Sequence, residues 1–449
     1  MEELKKYKWM IPLISGAERN TRRKLLKNLR KKKDRFYPEG GFNADIKNLI
    51  NCMLCPNMCR FDCNTLQAAK TEVISPAYKA RIGYYLTVGK IDPSDPENKE
   101  FVDLMYKCSN CENCKIWCPF DFSVVSLLET VRDDLNEKGL MPDYCEKQID
   151  KLKETGTIED YNIFKTYEEK GIENIETDGN DDVFYYIGCE MMKFPKVVQA
   201  NIELLKKLGI KFSTNLDKRV CCGSPALNIR DLDTITSLAS KSVDLIRKSG
   251  AKLVISGCPG CVRTLTERYQ KNHILEEKVE HEDEEIRGKD VTEEEEQFSR
   301  ILYDEGPEVI HIVEYIERLL EEEKLMLHEV PKKYETVTIH DPCLLARNLS
   351  NTSSIRKILG HIPNLTIKEP IYNKEFTHCC GWSGTVHWAD RDIAIKESEN
   401  RISELKETGA NIIVTACPEC ELGLAYGIDE NEKDTIEIID LSELLIKAI

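Results

Sequence analysis

The chain has no run of about 18 uncharged apolar residues, the length a membrane-spanning helix needs. Its N-terminus, MEELKKYKWMIPLISG, lacks the long apolar stretch of a secretory signal. It also has no Gly-rich dinucleotide fingerprint, so a nicotinamide or flavin nucleotide held by this chain is not its source of electrons. Positive charge is in deficit: the formal net charge is −16, which argues against general nucleic-acid binding. The expectation is a cytoplasmic protein without a transmembrane segment, working with an electron-donor protein. Peripheral membrane association stays open, because residues 1–40 form a basic arm containing Lys31-Lys32-Lys33.

What the sequence does have is cysteine, 19 in 449 residues. A disulfide scaffold would be a far shorter, secreted chain, so these thiols are expected to hold metal. All but Cys145 fall into four clusters. The first is Cys52-x2-Cys55-x3-Cys59-x3-Cys63, and the second is Cys108-x2-Cys111-x2-Cys114-x3-Cys118 followed by Pro119. Four thiolates in eleven or twelve residues do not suit a structural zinc, which takes two separated pairs. They match the run of two-cluster ferredoxins, in which the fourth cysteine crosses to the other cluster. The expected sets are therefore Cys52, Cys55, Cys59 and Cys118 on one cubane [4Fe–4S] cluster, and Cys63, Cys108, Cys111 and Cys114 on the other. The first motif departs from the usual run by one extra residue and by Asn64 where proline is common.

The other two clusters repeat a single pattern. Cys189 leads to Cys221-Cys222-Gly223 and then Cys258-Pro259-Gly260-Cys261; Cys343 leads to Cys379-Cys380-Gly381 and then Cys417-Pro418-Glu419-Cys420. From about residue 180, short apolar strands alternate with amphipathic helices. The predicted strands are 183–187, 253–256, 309–312, 337–340, 412–414 and 436–439, with helices near 195–209, 231–249, 313–323 and 389–408. That alternation predicts parallel sheets with ligand sites beyond the strand carboxyl ends, where Cys189, Cys258, Cys343 and Cys417 lie. The fold class is α/β, with two tandem Rossmann-like parallel units after a mostly helical two-cluster ferredoxin domain. The expected domains are the ferredoxin module at 41–150, a first unit at 180–325 with an acidic insertion at 271–306, and a second at 335–449.

The segments CCGSPALN, CPGC, HDPC, CCGWSG and CPEC, with SPAYKARIGYY in the ferredoxin part, resemble the Cys-Cys-Gly domains and the D-type catalytic subunit of heterodisulfide reductases. The resemblance covers about residues 45–449. It implies two noncubane [4Fe–4S] clusters, one held by Cys189, Cys221, Cys222, Cys258 and Cys261, the other by Cys343, Cys379, Cys380, Cys417 and Cys420. By the same resemblance, the mixed disulfide of coenzyme M and coenzyme B, known from methanogenesis, would lie between them. The cubanes would feed electrons from a flavoprotein, a ferredoxin or a membrane cytochrome subunit. Iron–sulfur subunits of hydroxy-acid oxidases and of sulfite-reduction-associated complexes also resemble the chain, which keeps an electron-transfer subunit of a flavin- or quinone-linked dehydrogenase as the alternative.

Among single residues, His378 is the candidate catalytic proton donor, since histidine titrates near neutrality. His311, His340 and His387 read as structural groups, Trp382 and Trp388 as packing, and Cys145 as an ordinary buried thiol. Ser224 and Ser383 stand where backbone N–H groups are expected to bond cluster sulfides.

Overall fold

A computed structural model describes residues 49–52, 55, 57–120, 123–158, 167–218, 220–268 and 307–449, with isolated positions nearer the N-terminus. The basic arm, apart from those positions, and the acidic insertion lie outside the described residues.

The N-terminal module is helical. Helix Pro76–Thr87 starts where the Ser75 hydroxyl accepts from the Tyr78 N–H at 3.2 Å, with proline in the first turn. Helix Val124–Glu137 is capped the same way by Ser123, whose hydroxyl accepts from Ser126 N–H at 3.0 Å. Both bury one apolar face: Ile82 and Leu86 on the first, Val131 and Leu135 on the second. Helices Asn64–Ala69, Lys99–Tyr106, Asn113–Ile116 and Asp143–Thr155 belong to the same module.

Each repeat is a four-stranded, wholly parallel sheet. In the first, β1 (Val183–Tyr185), β2 (Phe212–Thr214), β3 (Leu253–Ser256) and β4 (Glu308–His311) run in the order β2-β1-β3-β4. In the second, β5 (Thr336–Ile339), β6 (Thr366–Lys368), β7 (Ile412–Thr415) and β8 (Glu437–Asp440) run in the equivalent order, β6-β5-β7-β8. Central strands sandwiched by helices must be apolar throughout, and β7 (Ile412-Ile413-Val414-Thr415) is buried at every position. The long helix after each Cys-Cys-Gly starts at an aspartate cap: Asp231 for Leu232–Ser249 and Asp390 for Arg391–Lys406. Six strands agree with the sequence pattern. The edge strands β2 and β6, flanked or filled by polar residues, carry no such pattern.

Strand order fixes where the chemistry can sit. The chain leaves β1 and β3 in opposite directions, so a crevice opens beyond their carboxyl ends, and the same holds for β5 and β7. Cys189 and Cys258 follow β1 and β3; Cys343 and Cys417 follow β5 and β7.

Candidate metal centre

Within the first repeat the five sulfurs form a chain of contacts. Cys189 Sγ lies 3.4 Å from Cys221 Sγ, Cys222 is hydrogen bonded to Cys221 and Cys261, and Cys261 reaches Cys258. The second repeat has the same connectivity, from Cys343 through Cys379, Cys380 and Cys420 to Cys417. Hydrogen bonds from Cys221 and Cys261 hold the Cys222 thiol well below its usual range; Cys379 and Cys420 do the same for Cys380. Thiolate is the form that ligates metal, and ten buried sulfurs in two dense groups fit iron–sulfur chemistry.

The glycine of each Cys-Cys-Gly is dictated by geometry. Gly223 and Gly381 have φ of 90° and 80°, the left-handed region that favours glycine. A Cβ on Gly381 would stand 2.4 Å from the Ala394 carbonyl oxygen, so the loop is pressed against the following helix.

In the ferredoxin module, Cys52 is surrounded by Cys59, Cys55 and Cys118, and burial followed by these neighbours pushes its thiol up. Cys63 instead neighbours Cys111 and Cys108, and Cys114 neighbours Cys111, Cys108 and Cys63. The fourth cysteine of each run therefore crosses to the other group. The ammonium of buried Lys79, which the sequence pattern does not single out, lies near both Cys63 and Cys108 and opposes the rise that burial causes.

The module and the second repeat touch through sulfur itself: Cys111 is hydrogen bonded to Cys379, which lowers the Cys111 thiol to about 6. The contact is fixed by its surroundings. Arg347 donates to the carbonyls of Cys111 and, at 2.7 Å, Thr377; Thr385 N–H donates to Cys108 O at 3.0 Å. Ser109 Oγ donates to both carboxylate oxygens of Glu397 at 2.8 and 2.9 Å. Glu397 is buried, and burial first, then the Cys111 charge, pushes its carboxyl up to about 8.

The two repeats also meet. Burial raises Cys417, and Cys258 of the first repeat is close enough to add to the rise. Glu419, between Cys417 and Cys420, is half-buried, and desolvation, then Cys258, Glu190, Cys380 and Cys343, push its carboxyl well up. It faces both groups, and its counterpart in the first repeat is Gly260.

His378 stands beside these sulfurs with both ring nitrogens engaged: Nδ1 with Glu404 at 2.5 Å and Nε2 with Asp62 at 2.9 Å. Burial works against its charge, but the two carboxylates win and hold its pKa above the usual value. Tyr372 stacks on the ring with centroids 4.0 Å apart. This is the geometry of a bridge between the ferredoxin module and the second repeat. Glu404 also receives Arg401 Nη1 at 2.8 Å, and Arg401 Nε donates to His340 Nδ1 at 3.1 Å. From its strand pattern His340 reads as a satisfied core group. It is buried, but its Nε2 has no nitrogen or oxygen partner and a ring nitrogen lies within 4.8 Å of the sulfurs of Cys380 and Cys420. Nothing in the strand pattern distinguishes a histidine aimed at sulfur from one packed in a core.

His311 does act structurally, accepting from Val313 N–H at 3.3 Å through Nδ1. His387 stacks near Trp382 with centroids 5.7 Å apart, and burial lowers it to about 3. Cys145 is fully buried in the helical module, where desolvation pushes its thiol up to about 12.

Comparison with known proteins agrees with this architecture. Residues 183–266 and 337–425 each match the model of a cysteine-rich domain, and residues 48–122 match that of a 4Fe-4S dicluster domain. The chain belongs to the Cys-Cys-Gly iron–sulfur oxidoreductase family. This family member is 28% identical over 370 residues to the D-type subunit of the dihydromethanophenazine:CoB–CoM heterodisulfide reductase of Methanosarcina barkeri, covering 80% of this chain and 82% of the relative. It is 24% identical to the B-type subunit of the fumarate reductase (CoM/CoB) of Methanothermobacter marburgensis, over 90% of this chain and 73% of that one. The EtfAB:quinone oxidoreductase of Syntrophomonas wolfei is 24% identical over 77% of this chain and 47% of its own length. Among the described residues no helix is long and apolar enough to cross a membrane.

Proposed function

We propose that this iron–sulfur oxidoreductase reduces a disulfide at the crevice shared by its two repeats. The observation that carries this reading is the pairing of two five-cysteine groups of the same connectivity, with Cys258 and Cys417 close to one another and Cys111 hydrogen bonded to Cys379. In this reading the two groups of five hold noncubane [4Fe–4S] clusters, and the two groups of four hold cubanes. When bound, such clusters supply electrons singly at potentials the protein sets. A disulfide takes up two electrons and two protons as its S–S bond breaks and two thiols form. Two facing sites suit that demand, since each sulfur has its own source of one electron.

The chain's own residues position the parts. The Cys111–Cys379 contact joins the module to the second repeat, and the Asp62–His378–Glu404 bridge holds the two in register. Its carboxylate partners give His378 a positioning role in this reading, with proton donation to a leaving thiolate left to other groups. Electrons come from a donor protein, consistent with the first relative's being named as a subunit. The mixed disulfide of coenzyme M and coenzyme B heads the substrate candidates on that similarity.

The test is reduced-viologen turnover of the anaerobically prepared protein against a panel of disulfides that includes the coenzyme M–coenzyme B heterodisulfide. Turnover that disappears in Cys380→Ala is expected. The fumarate reductase and quinone oxidoreductase relatives motivate the second reading, electron transfer within a larger complex. No turnover with any disulfide, but rapid electron passage to a quinone-linked or fumarate-reducing partner, would establish it instead.

A further inference from the structure

The two repeats are alike in their cysteines and differ at the residue three positions before the first of them. Tyr186 precedes Cys189, and His340 precedes Cys343. The backbone shows the equivalence: Tyr186 N–H donates to Ile255 O across β1–β3 at 2.8 Å, and His340 N–H donates to Val414 O across β5–β7 at 2.9 Å. Facing them on the following helix, eleven residues beyond the capping aspartates Asp231 and Asp390, are Ser242 and Arg401 respectively.

In the first repeat the pair is hydroxylic and spent on protein. Tyr186 OH donates to Val220 O at 2.9 Å and lies 3.1 Å from Ser242 Oγ. In the second repeat the pair is an imidazole and a guanidinium with no exposed surface. Arg401 is held by Glu404, the Tyr372 carbonyl at 3.0 Å and Thr377. Its Nε donates to His340 Nδ1, which must therefore be the accepting nitrogen, so the ring proton sits on Nε2. That N–H has no oxygen or nitrogen partner; the ring is hydrogen bonded to Cys380, and a ring nitrogen lies within 4.8 Å of the Cys380 and Cys420 sulfurs. Hydrogen bonds to ligand sulfurs stabilise the more negative, reduced state of an iron–sulfur site and so raise its potential.

We propose that the buried His340–Arg401 pair is a positioning device that aims an N–H at Cys380 and makes the second five-cysteine site the more easily reduced of the two. Electrons arriving from the Cys111 side are then taken up first at the site they reach first. This rests on the reading that both groups of five hold iron–sulfur clusters.

The experiment is a dye-mediated redox titration, followed by electron paramagnetic resonance, of the full chain prepared anaerobically, with iron and sulfide analysis on the same samples. His340→Asn keeps an acceptor for Arg401 but removes the donor near the sulfur, His340→Leu removes both, and His340→Gln restores an N–H at the outer position. His340→Asn and His340→Leu are expected to keep wild-type iron and to lower one midpoint, so that the ratio of reduced to oxidised site at fixed poise falls about tenfold, equivalent to about 59 mV for one electron. His340→Gln should return most of the shift, and Tyr186→Phe should move neither midpoint. Unchanged midpoints in both removal variants, an equal shift in Tyr186→Phe, or loss of a whole cluster's iron from both removal variants would each overturn the inference. Wild-type protein without iron would defeat the cluster reading itself, a failure visible before any titration.

Discussion

Arg132 is among the largest side chains with no exposed surface, and its guanidinium is spent on carbonyls rather than carboxylates: Nε donates to Met105 O at 2.9 Å and Nη1 to Asn228 O at 2.8 Å. It thereby ties the ferredoxin module to the short helix Ser224–Ile229 that follows the first Cys-Cys-Gly. Arg132→Met preserves volume but strands both acceptors, which costs about 1–3 kcal/mol for each buried group left unpaired. A lowered urea midpoint with full iron content is expected, and an unchanged midpoint would show that water replaces the guanidinium. Asp440 offers a pH test. Burial pushes its carboxyl up to about 7 although it caps the last helix by accepting from Ser442 N–H at 2.8 Å. A carboxyl raised on folding penalises the folded state as pH rises from the unfolded value near 4 through 7, and the penalty is absent below that range. Asparagine caps equally well without the charge. Asp440→Asn should therefore raise the melting temperature at pH 8 and lose that advantage by pH 4, each tenfold change in the acidity of the carboxyl being worth about 1.4 kcal/mol. An advantage independent of pH would point to packing rather than ionisation.

Elements are more legible than sites. Six strands and the four long helices of the repeats follow from apolar runs and capping residues: β1, β3, β5 and β7 are central and buried on both faces, and the edge strands β4 and β8 still carry the apolar pairs Val309-Ile310 and Ile438-Ile439. β2 and β6 do not announce themselves: Phe212-Ser213-Thr214 and Thr366-Ile367-Lys368 are three-residue edge strands whose pairing is set by the neighbour, not by their own pattern. Cysteine spacing carries the candidate centre, since close spacing is local information. The partners supplied by distant elements, such as Lys79, Glu397, Arg401 and the Nε2 of His340, become visible only when the sheets bring them to the sulfurs. Loop docking is of the same kind. Gly384, with φ of 68°, lies so near the ferredoxin module that a Cβ would sit 2.4 Å from Cys108 O. Gly384→Ala should strain this turn by about 1–3 kcal/mol and separate the second repeat from the Cys108–Cys111 loop. Stopped-flow reduction should show a slower second-repeat site at unchanged iron content; wild-type rates would mean that the loop is not part of the electron route.

At the scale of the whole molecule, two near-identical sheets are served unequally. The first repeat is joined to the helical module through Arg132, through Asn136 Nδ2 to Ile229 O at 2.8 Å, and through the Arg230–Asp133 ion pair at 2.8 Å. None of these is a hydrogen bond to a sulfur. The second repeat is joined through Cys111 and Cys379, directly between a four-cysteine group and a five-cysteine group. If all four groups are filled, the chain carries about sixteen irons, four per cluster. Cys111→Ala removes one expected cubane ligand together with the sulfur contact, so it is expected to lose up to about four irons and to leave the second repeat reduced only slowly by a donor acting through the module. Cys380→Ala should instead spare the cubanes and lose the second-repeat site. Iron analysis and single-turnover reduction of the two variants side by side separate supply from chemistry: were Cys111→Ala to fill and reduce its second repeat at the wild-type rate, electrons would have to enter the crevice by another path, and the asymmetry of the two repeats would have no part in directing them.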